Sequence, residues 1–239
     1  MLFLLLLLFA ADACGQQGTG GLRFRDVPSL PVQPVAVNDA GEMVGNDAAL
    51  GAVRILPDGT VTPLGTPADL TAVAMNNRGQ ILLNRTAGAA ATFLMQPDGT
   101  IEERTIAGAA GVIGRGLNDA GEVAGSADRD AVVWDAEGNA RVVPVPLCGV
   151  PGSSGCRYST ADLDEQGNII GWFPLVGPWG LFRLTPDGFY REIGRTYRSI
   201  APSGIGRNGL VFYTYFNLMA PMTSIALADR GDTEYWTSH

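Results

Sequence analysis

Turn residues at regular spacing, short apolar runs between them, and 32 Gly with 15 Pro among 239 residues predict an all-β repeat protein. The Val, Ile, Leu and Phe segments between the turns argue against disorder. With 46% apolar and 17% charged residues, the chain can bury a real core.

The repeat has two elements. The first reads Val35-Ala36-Val37-Asn38-Asp39-Ala40-Gly41-Glu42-Met43-Val44-Gly45, an apolar run, a polar turn ending in Gly, and a second apolar run. It returns at Val73 to Leu82, at Leu117 to Gly125 and, more weakly, at Leu163 to Gly171 and Ile205 to Val211. Its turn glycines 41, 79, 121, 167 and 209 are 38, 42, 46 and 42 residues apart. The second element is Ile55-Leu56-Pro57-Asp58-Gly59-Thr60-Val61, echoed at Met95 to Ile101, Trp134 to Gly138, Leu184 to Gly188 and, in eroded form, Leu227 to Gly231.

Turn chemistry explains both. Pro57 presets φ for the first central position of a type I turn, Asp58 suits the second, and Gly59 takes the left-handed position that closes a bulged hairpin. Asn38 to Gly41 makes the same kind of turn, its Asn able to bond its own backbone. Each unit is then two hairpins, or four short strands. Five such units of this length predict a β-propeller of five four-stranded blades, in which neighbouring units bury faces that one unit cannot bury alone. An open β-solenoid and a two-sheet sandwich are the rival folds. Leu22-Arg23-Phe24-Arg25-Asp26-Val27 resembles the fourth strand of a unit and precedes the first full copy. Paired with the last blade, it would close the ring.

Asp130-Ala131-Val132-Val133-Trp134-Asp135-Ala136-Glu137-Gly138 is similar to the signature of the bacterial extracellular HAF repeat family. That repeat joins a His-Ala-Phe-Leu-Trp-like strand and an Asp-Pro-Asp-Gly-like turn to an Asn-Asp-x-Gly hairpin. The resemblance runs over residues 22–231. It implies export and repeat architecture and brings no reaction with it. The chain departs from the signature by having Gly51, Ala91, Asp130 and Gly180 where the family has His.

Composition removes much chemistry. All 16 basic residues are Arg, so no Lys exists for a Schiff base or a P-loop. The only His is His239, the last residue, which removes Ser-His-Asp and Cys-His catalysis and His-ligated metal sites unless the terminus supplies the imidazole. No cofactor is expected. A net charge of -8 without a basic run disfavours nucleic acid as a partner.

Leu2 to Ala11 is an apolar run of ten, too short to span a bilayer as a helix. It leads into Ala11-Asp12-Ala13, an A-x-A pattern, and Cys14; although no basic residue precedes it, this reads as a signal peptide over residues 1–13. Residues 9–14 resemble a lipobox, which makes Cys14 a lipid acceptor and residues 14–21 a flexible tether ahead of one domain at 22–239. Lipidation is favoured over free secretion, in the periplasm, at the outer membrane or outside the cell. Any membrane contact would run through that anchor. Setting Cys14 aside leaves Cys148 and Cys156, whose short intervening loop suits a disulfide better than a metal site.

Two motif matches fail on context. Gly204-Ile205-Gly206-Arg207-Asn208-Gly209 fits G-x-G-x-x-G, but a strand-like run follows where a dinucleotide site needs a helix. Asp162 to Gly167 starts like a calcium loop, but its twelfth position is Phe173, not Glu. Asp162 is of interest for another reason. The matching residues in the other units are Ala36, Ala74, Gly116 and Gly204, so a lone carboxylate stands where small residues would crowd a propeller axis. Unit four also gathers Trp172, Phe173, Trp179 and Phe182 around Pro174 and Pro178.

Asp162, Trp172 and Trp179 are therefore the expected ligand-binding residues, the plainer alternatives being a solvated acid at a strand end and rings packed between blades, for an unidentified protein or glycan, in a non-catalytic binding or scaffold module of the cell envelope. The alternative is a carboxylate-dependent carbohydrate-active enzyme, for which the sequence nominates no second carboxylate.

Overall fold

The structure is a computed structural model that describes residues 32–128, 130–143, 159–174, 179–196, 200–205, 211–216 and 223–228. All regular structure among them is β. β1 (Gln33–Val37), β2 (Met43–Asp47), β3 (Gly51–Ile55) and β4 (Val61–Pro63) form one antiparallel meander in chain order. A second contains β5 (Leu70–Met75), β6 (Ile81–Arg85), β7 (Thr92–Met95) and β8 (Ile101–Arg104). The third runs through β9 (Val112–Leu117), β10 (Val123–Ala127), β11 (Asp130–Trp134) and β12 (Ala140–Val143). In the fourth lie β13 (Ser159–Leu163), β14 (Ile169–Pro174), β15 (Trp179–Leu184) and β16 (Tyr190–Thr196). The fifth has three strands among the described residues, β17 (Ile200–Ile205), β18 (Val211–Phe216) and β19 (Thr223–Ala228).

Sheets one to four each hold one copy of the two-element repeat, and their turns form as their chemistry demands. At Pro57-Asp58-Gly59 the Gly59 N–H donates to Leu56 O at 2.8 Å, with Gly59 at φ 89°, and Asp58 Oδ1 accepts the Thr60 N–H at 2.8 Å. Gly99, Gly138 and Gly188 repeat the positive φ in the next three units. In the other hairpin, Asn38 Oδ1 accepts the Glu42 N–H while Asn38 Nδ2 donates to Glu42 Oε2, both at 2.9 Å. Asn118 with Glu122 reproduces this pair. In unit four Asp164 and Asn168 take the two places: the Asn168 N–H still donates to Asp164 Oδ1, while the side-chain bond reverses and Asn168 Nδ2 donates to Asp164 Oδ2.

The core lies between sheets. Val44, Ala52, Ile81 and Leu83 pack together at the seam of sheets one and two, while Leu82 and Leu94 turn the other way to meet Val123, Val132 and Trp134 of sheet three. Ala124, Ala131 and Val133 then meet Leu163, Ile169 and Phe182 of sheet four. A sheet sandwiched between neighbours needs apolar residues on both faces, which is why Ile81-Leu82-Leu83 is continuous rather than alternating. Trp134 is fully buried in this layer and donates its indole N–H to Thr105 O at 2.8 Å.

Every first strand carries a β-bulge, read from the register shifts at Pro34/Ala36, Ala72/Ala74, Thr160/Asp162 and Pro202/Gly204, and opposite Ala124/Gly125 in sheet three. The extra residues are Val35, Val73, Arg115, Ala161 and Ser203. Directly after them come Ala36, Ala74, Gly116, Asp162 and Gly204, so the pairing register aligns the positions matched by sequence.

Candidate functional site

The first hairpin turns do more than reverse the chain. The residue after each turn Asn or Asp links one sheet to the next. The Asp39 N–H donates to Asn77 Oδ1 at 2.7 Å, the Asn77 N–H to Asp119 Oδ1 at 2.7 Å, and the Asp119 N–H to Glu165 Oε2 at 2.9 Å. Beneath this belt, buried Asn76 donates its amide to Asn118 O at 2.9 Å, and Asn118 donates to Asp164 O at 3.2 Å. The acidic and amide residues that the turns supply thus become a polar rim held at fixed places. In sequence Arg207 matches the belt position in unit five, and it lies outside the described residues.

Inside the rim, β1, β5, β9 and β13 together line one cleft of about 390 Å3. Its acidic residues are Asp39, Asp119, Asp162, Asp164 and Glu165; Arg115 is its only basic residue among the described ones. Asp164 is 2% exposed, and its charge is met by Asn168 and by Arg183, whose Nη2 lies 3.1 Å from Asp164 Oδ2.

Asp162 is half-buried and lines this cleft, and its Oδ1 accepts the Leu163 N–H at 2.9 Å. A Cβ on Gly116 would stand 2.5 Å from Asp162 Oδ1 and 2.8 Å from Asp162 Cα. Only glycine lets the two first strands approach this closely, so Gly116 makes room for the Asp162 carboxylate. One residue earlier on β9, Arg115 occupies the bulge, exposed and lining the same cleft.

Trp172 is half-buried on β14. In strand register it holds the place of Asn46, Asn84 and Ser126 in the earlier units. Those residues bridge neighbouring sheets: Asn46 Oδ1 accepts the Ala72 N–H at 2.8 Å, and Asn46 Nδ2 donates to Ala72 O at 3.0 Å. Asn84 clamps Gly114 in the same way, and Ser126 faces Thr160. In sheet five the register place of Ala72 belongs to Pro202, which has no N–H to donate to such a bridge. Trp172 is not among the described residues lining the cleft. Trp179 begins β15, and its side chain lies outside the described residues, as do Cys14, Cys148 and Cys156.

Sequence reasoning singled out Asp162. Arg115 and the belt residues 39, 77, 119 and 165 escaped it. The signal for the belt was present, an Asp, Asn or Glu after every turn Asn or Asp, but it was absorbed by the turn itself. For Arg115 no signal existed, because a bulge is a property of pairing.

No protein-family model matches the chain, and no curated relative does. Solved structures do. A TolB-like protein from Agrobacterium tumefaciens superposes with a TM-score of 0.65 at 15% identity, covering 85% of this chain and 79% of that one. TolB from Acinetobacter baumannii gives 0.63 at 15% identity over 85% and 55%. Virginiamycin B lyase from Staphylococcus aureus gives 0.53 at 15% identity over 85% and 72%. At such identity the likeness concerns the fold alone, and it supports a propeller scaffold. Activities differ among these neighbours, so the scaffold does not carry one over.

Proposed function

We propose that the protein is an exported binding module of the cell envelope, non-catalytic, whose ligand enters the cleft beside Asp162. One observation carries this reading: first strands from four sheets meet at a single cleft, and the charged Arg115 and Asp162 stand there at positions that are uncharged in every other unit. Shared residues explain the scaffold, so departures from the repeat point to the ligand. Trp172 and Trp179 are proposed as its flank, where a ring left exposed could stack on a glycan or an apolar group. The signal peptide, the lipid at Cys14 and a Cys148–Cys156 disulfide belong to the same proposal and rest on sequence.

The test is a thermal-shift and native-mass screen of the mature chain against amines, amino acids, short peptides and oligosaccharides. Ala36→Trp, which puts an indole into the cleft, serves as the blocked variant. Ligands found with the natural chain should be lost in Ala36→Trp. Ligands retained there would put binding elsewhere and overturn the reading. The alternative, a carboxylate-dependent glycosidase, draws on the several acids of the cleft. It predicts hydrolysis of chromogenic glycosides that Asp162→Asn abolishes.

A further inference from the structure

We propose that the exposed Asp-Gly turns of this chain are built to resist isomerisation of their aspartates, and that in unit four the Thr185 hydroxyl is the protecting group. The inference stands apart from the cleft.

An aspartate followed by glycine is chemically vulnerable, because no side chain shields the next backbone nitrogen. That nitrogen attacks the aspartate Cγ and an N–C bond forms. The nitrogen's proton and the carboxyl hydroxyl leave as water, and a five-membered succinimide closes. Water then opens the ring at either carbonyl. Opening at the main-chain carbonyl gives isoaspartate, with the chain rerouted through the side chain. The step needs a protonated carboxyl whose hydroxyl can leave, an amide nitrogen able to give up its proton, and rotation about the aspartate Cα–C bond.

The chain has three Asp-Gly steps, Asp58-Gly59, Asp98-Gly99 and Asp187-Gly188, all at exposed turn tips. The structure opposes each requirement there. The glycine N–H groups are engaged, donating to Leu56 O at 2.8 Å, Gln96 O at 2.9 Å and Thr185 O at 2.9 Å. With the glycines at φ 89°, 89° and 87°, the closed turns restrain the aspartate backbone. Each carboxylate accepts a hydrogen bond, which favours its ionised form. Asp58 Oδ1 accepts the Thr60 N–H at 2.8 Å, Asp98 Oδ1 the Thr100 N–H at 2.9 Å, and Asp187 Oδ1 the Thr185 hydroxyl. These bonds hold all three carboxyls below their ordinary range, so little of the form with a leaving hydroxyl exists at neutral pH.

Unit four reaches this state by its own route. Where units one and two begin the turn with Leu56 and Gln96, unit four begins it with Thr185. Thr185 Oγ1 accepts the Phe189 N–H at 3.0 Å, the place of the donors that Asp58 and Asp98 engage directly, and donates its own hydrogen to Asp187. Protection of Asp187 therefore hangs on one hydroxyl. It can be removed without touching the Asp-Gly step or the Gly188 backbone bond. In sheet three the carboxylate of Asp135 stands at that first position with Ala136 after it, and no Asp-Gly step arises.

The test ages the mature chain in neutral buffer and reads isoaspartate at each site by peptide mapping with electron-transfer fragmentation. In the natural chain all three sites should isomerise at least about tenfold more slowly when folded than in concentrated urea. Thr185→Val should speed Asp187 at least about threefold relative to Asp58 and Asp98 of the same molecules. Thr185→Ser, which keeps the hydroxyl, should restore the natural rate. In urea, Asp187 should react alike in the natural chain and in Thr185→Val. Equal rates in the folded and unfolded natural chain would overturn the protection as a whole. An unchanged Asp187 rate in Thr185→Val, or an excess that persists in urea or in Thr185→Ser, would overturn the role of the hydroxyl. Acceleration at all three sites together in Thr185→Val would overturn it too, since the fold and not the hydroxyl would then be the guard.

Discussion

Single residues in this chain act mainly through backbone geometry. Gly59 sits at φ 89° with nothing within 4 Å of the place a Cβ would occupy, so a side chain there meets conformational strain and no clash. Gly59→Val should cost about 1–2 kcal/mol, against less than about 0.5 kcal/mol for Thr60→Val on the exposed side of the same turn, measured by denaturant unfolding. Equal costs would mean that the turn is not built on Pro57-Asp58-Gly59. The turn acids set a pH response. The Thr60 backbone N–H holds the Asp58 carboxyl below its ordinary range, Thr100 does the same for Asp98, the Asn139 side chain for Asp135, and the Thr185 hydroxyl for Asp187. A carboxylate that ionises more readily folded than unfolded contributes fully above the unfolded value, and its contribution disappears as pH falls through the folded one. The natural chain should therefore lose thermal stability below about pH 4. With Asn at all four positions, that part of the acid slope should flatten. An unchanged slope would show that these turns do not contribute to it.

At the scale of elements, strands and turns were legible and seams were not. The spacing of Gly41, Gly79, Gly121 and Gly167 located the first hairpins, and the turn after Leu56 formed with the bonds its residues imply. What joins one sheet to the next is a set of side chains whose partners lie 26 to 46 residues away. Asn46 is the clearest case, since it satisfies both the N–H and the C=O of Ala72. Removing it as Asn46→Ala leaves two backbone groups of the next sheet without those partners, at a cost of about 1–3 kcal/mol in chemical denaturation. Ser126→Ala, which gives up one weaker contact at 3.3 Å, should cost less. If the two variants are equally stable, the amide clamp is not what holds the seam.

For the whole molecule, closure of the ring is the open architectural proposal. Sheets one to four have four strands each, and sheet five has three among the described residues. Residues 22–27, which lie outside the described residues, are proposed as the strand that pairs with the last sheet and closes the ring, five residues ahead of β1, a gap comparable to the six between β4 and β5. Chains beginning at residues 14 and 22 should then unfold at the same temperature, whereas one beginning at residue 28 should unfold earlier or without cooperativity. Indistinguishable melting of all three would remove this segment from the ring. By itself, the sequence determined the all-β class, the two-hairpin unit, the turn types and the equivalence of Ala36, Ala74, Gly116 and Asp162. All of these depend on residues near one another in the chain, where Pro, Asp and Gly restrict the backbone locally. The tertiary structure alone decided that Arg115 is the bulged residue, that Gly116 must be bare to admit Asp162, and that turn acids become rungs between sheets. Those facts arise from pairing and packing across distant segments, and neighbouring residues in a sequence carry no record of which strand will lie beside them.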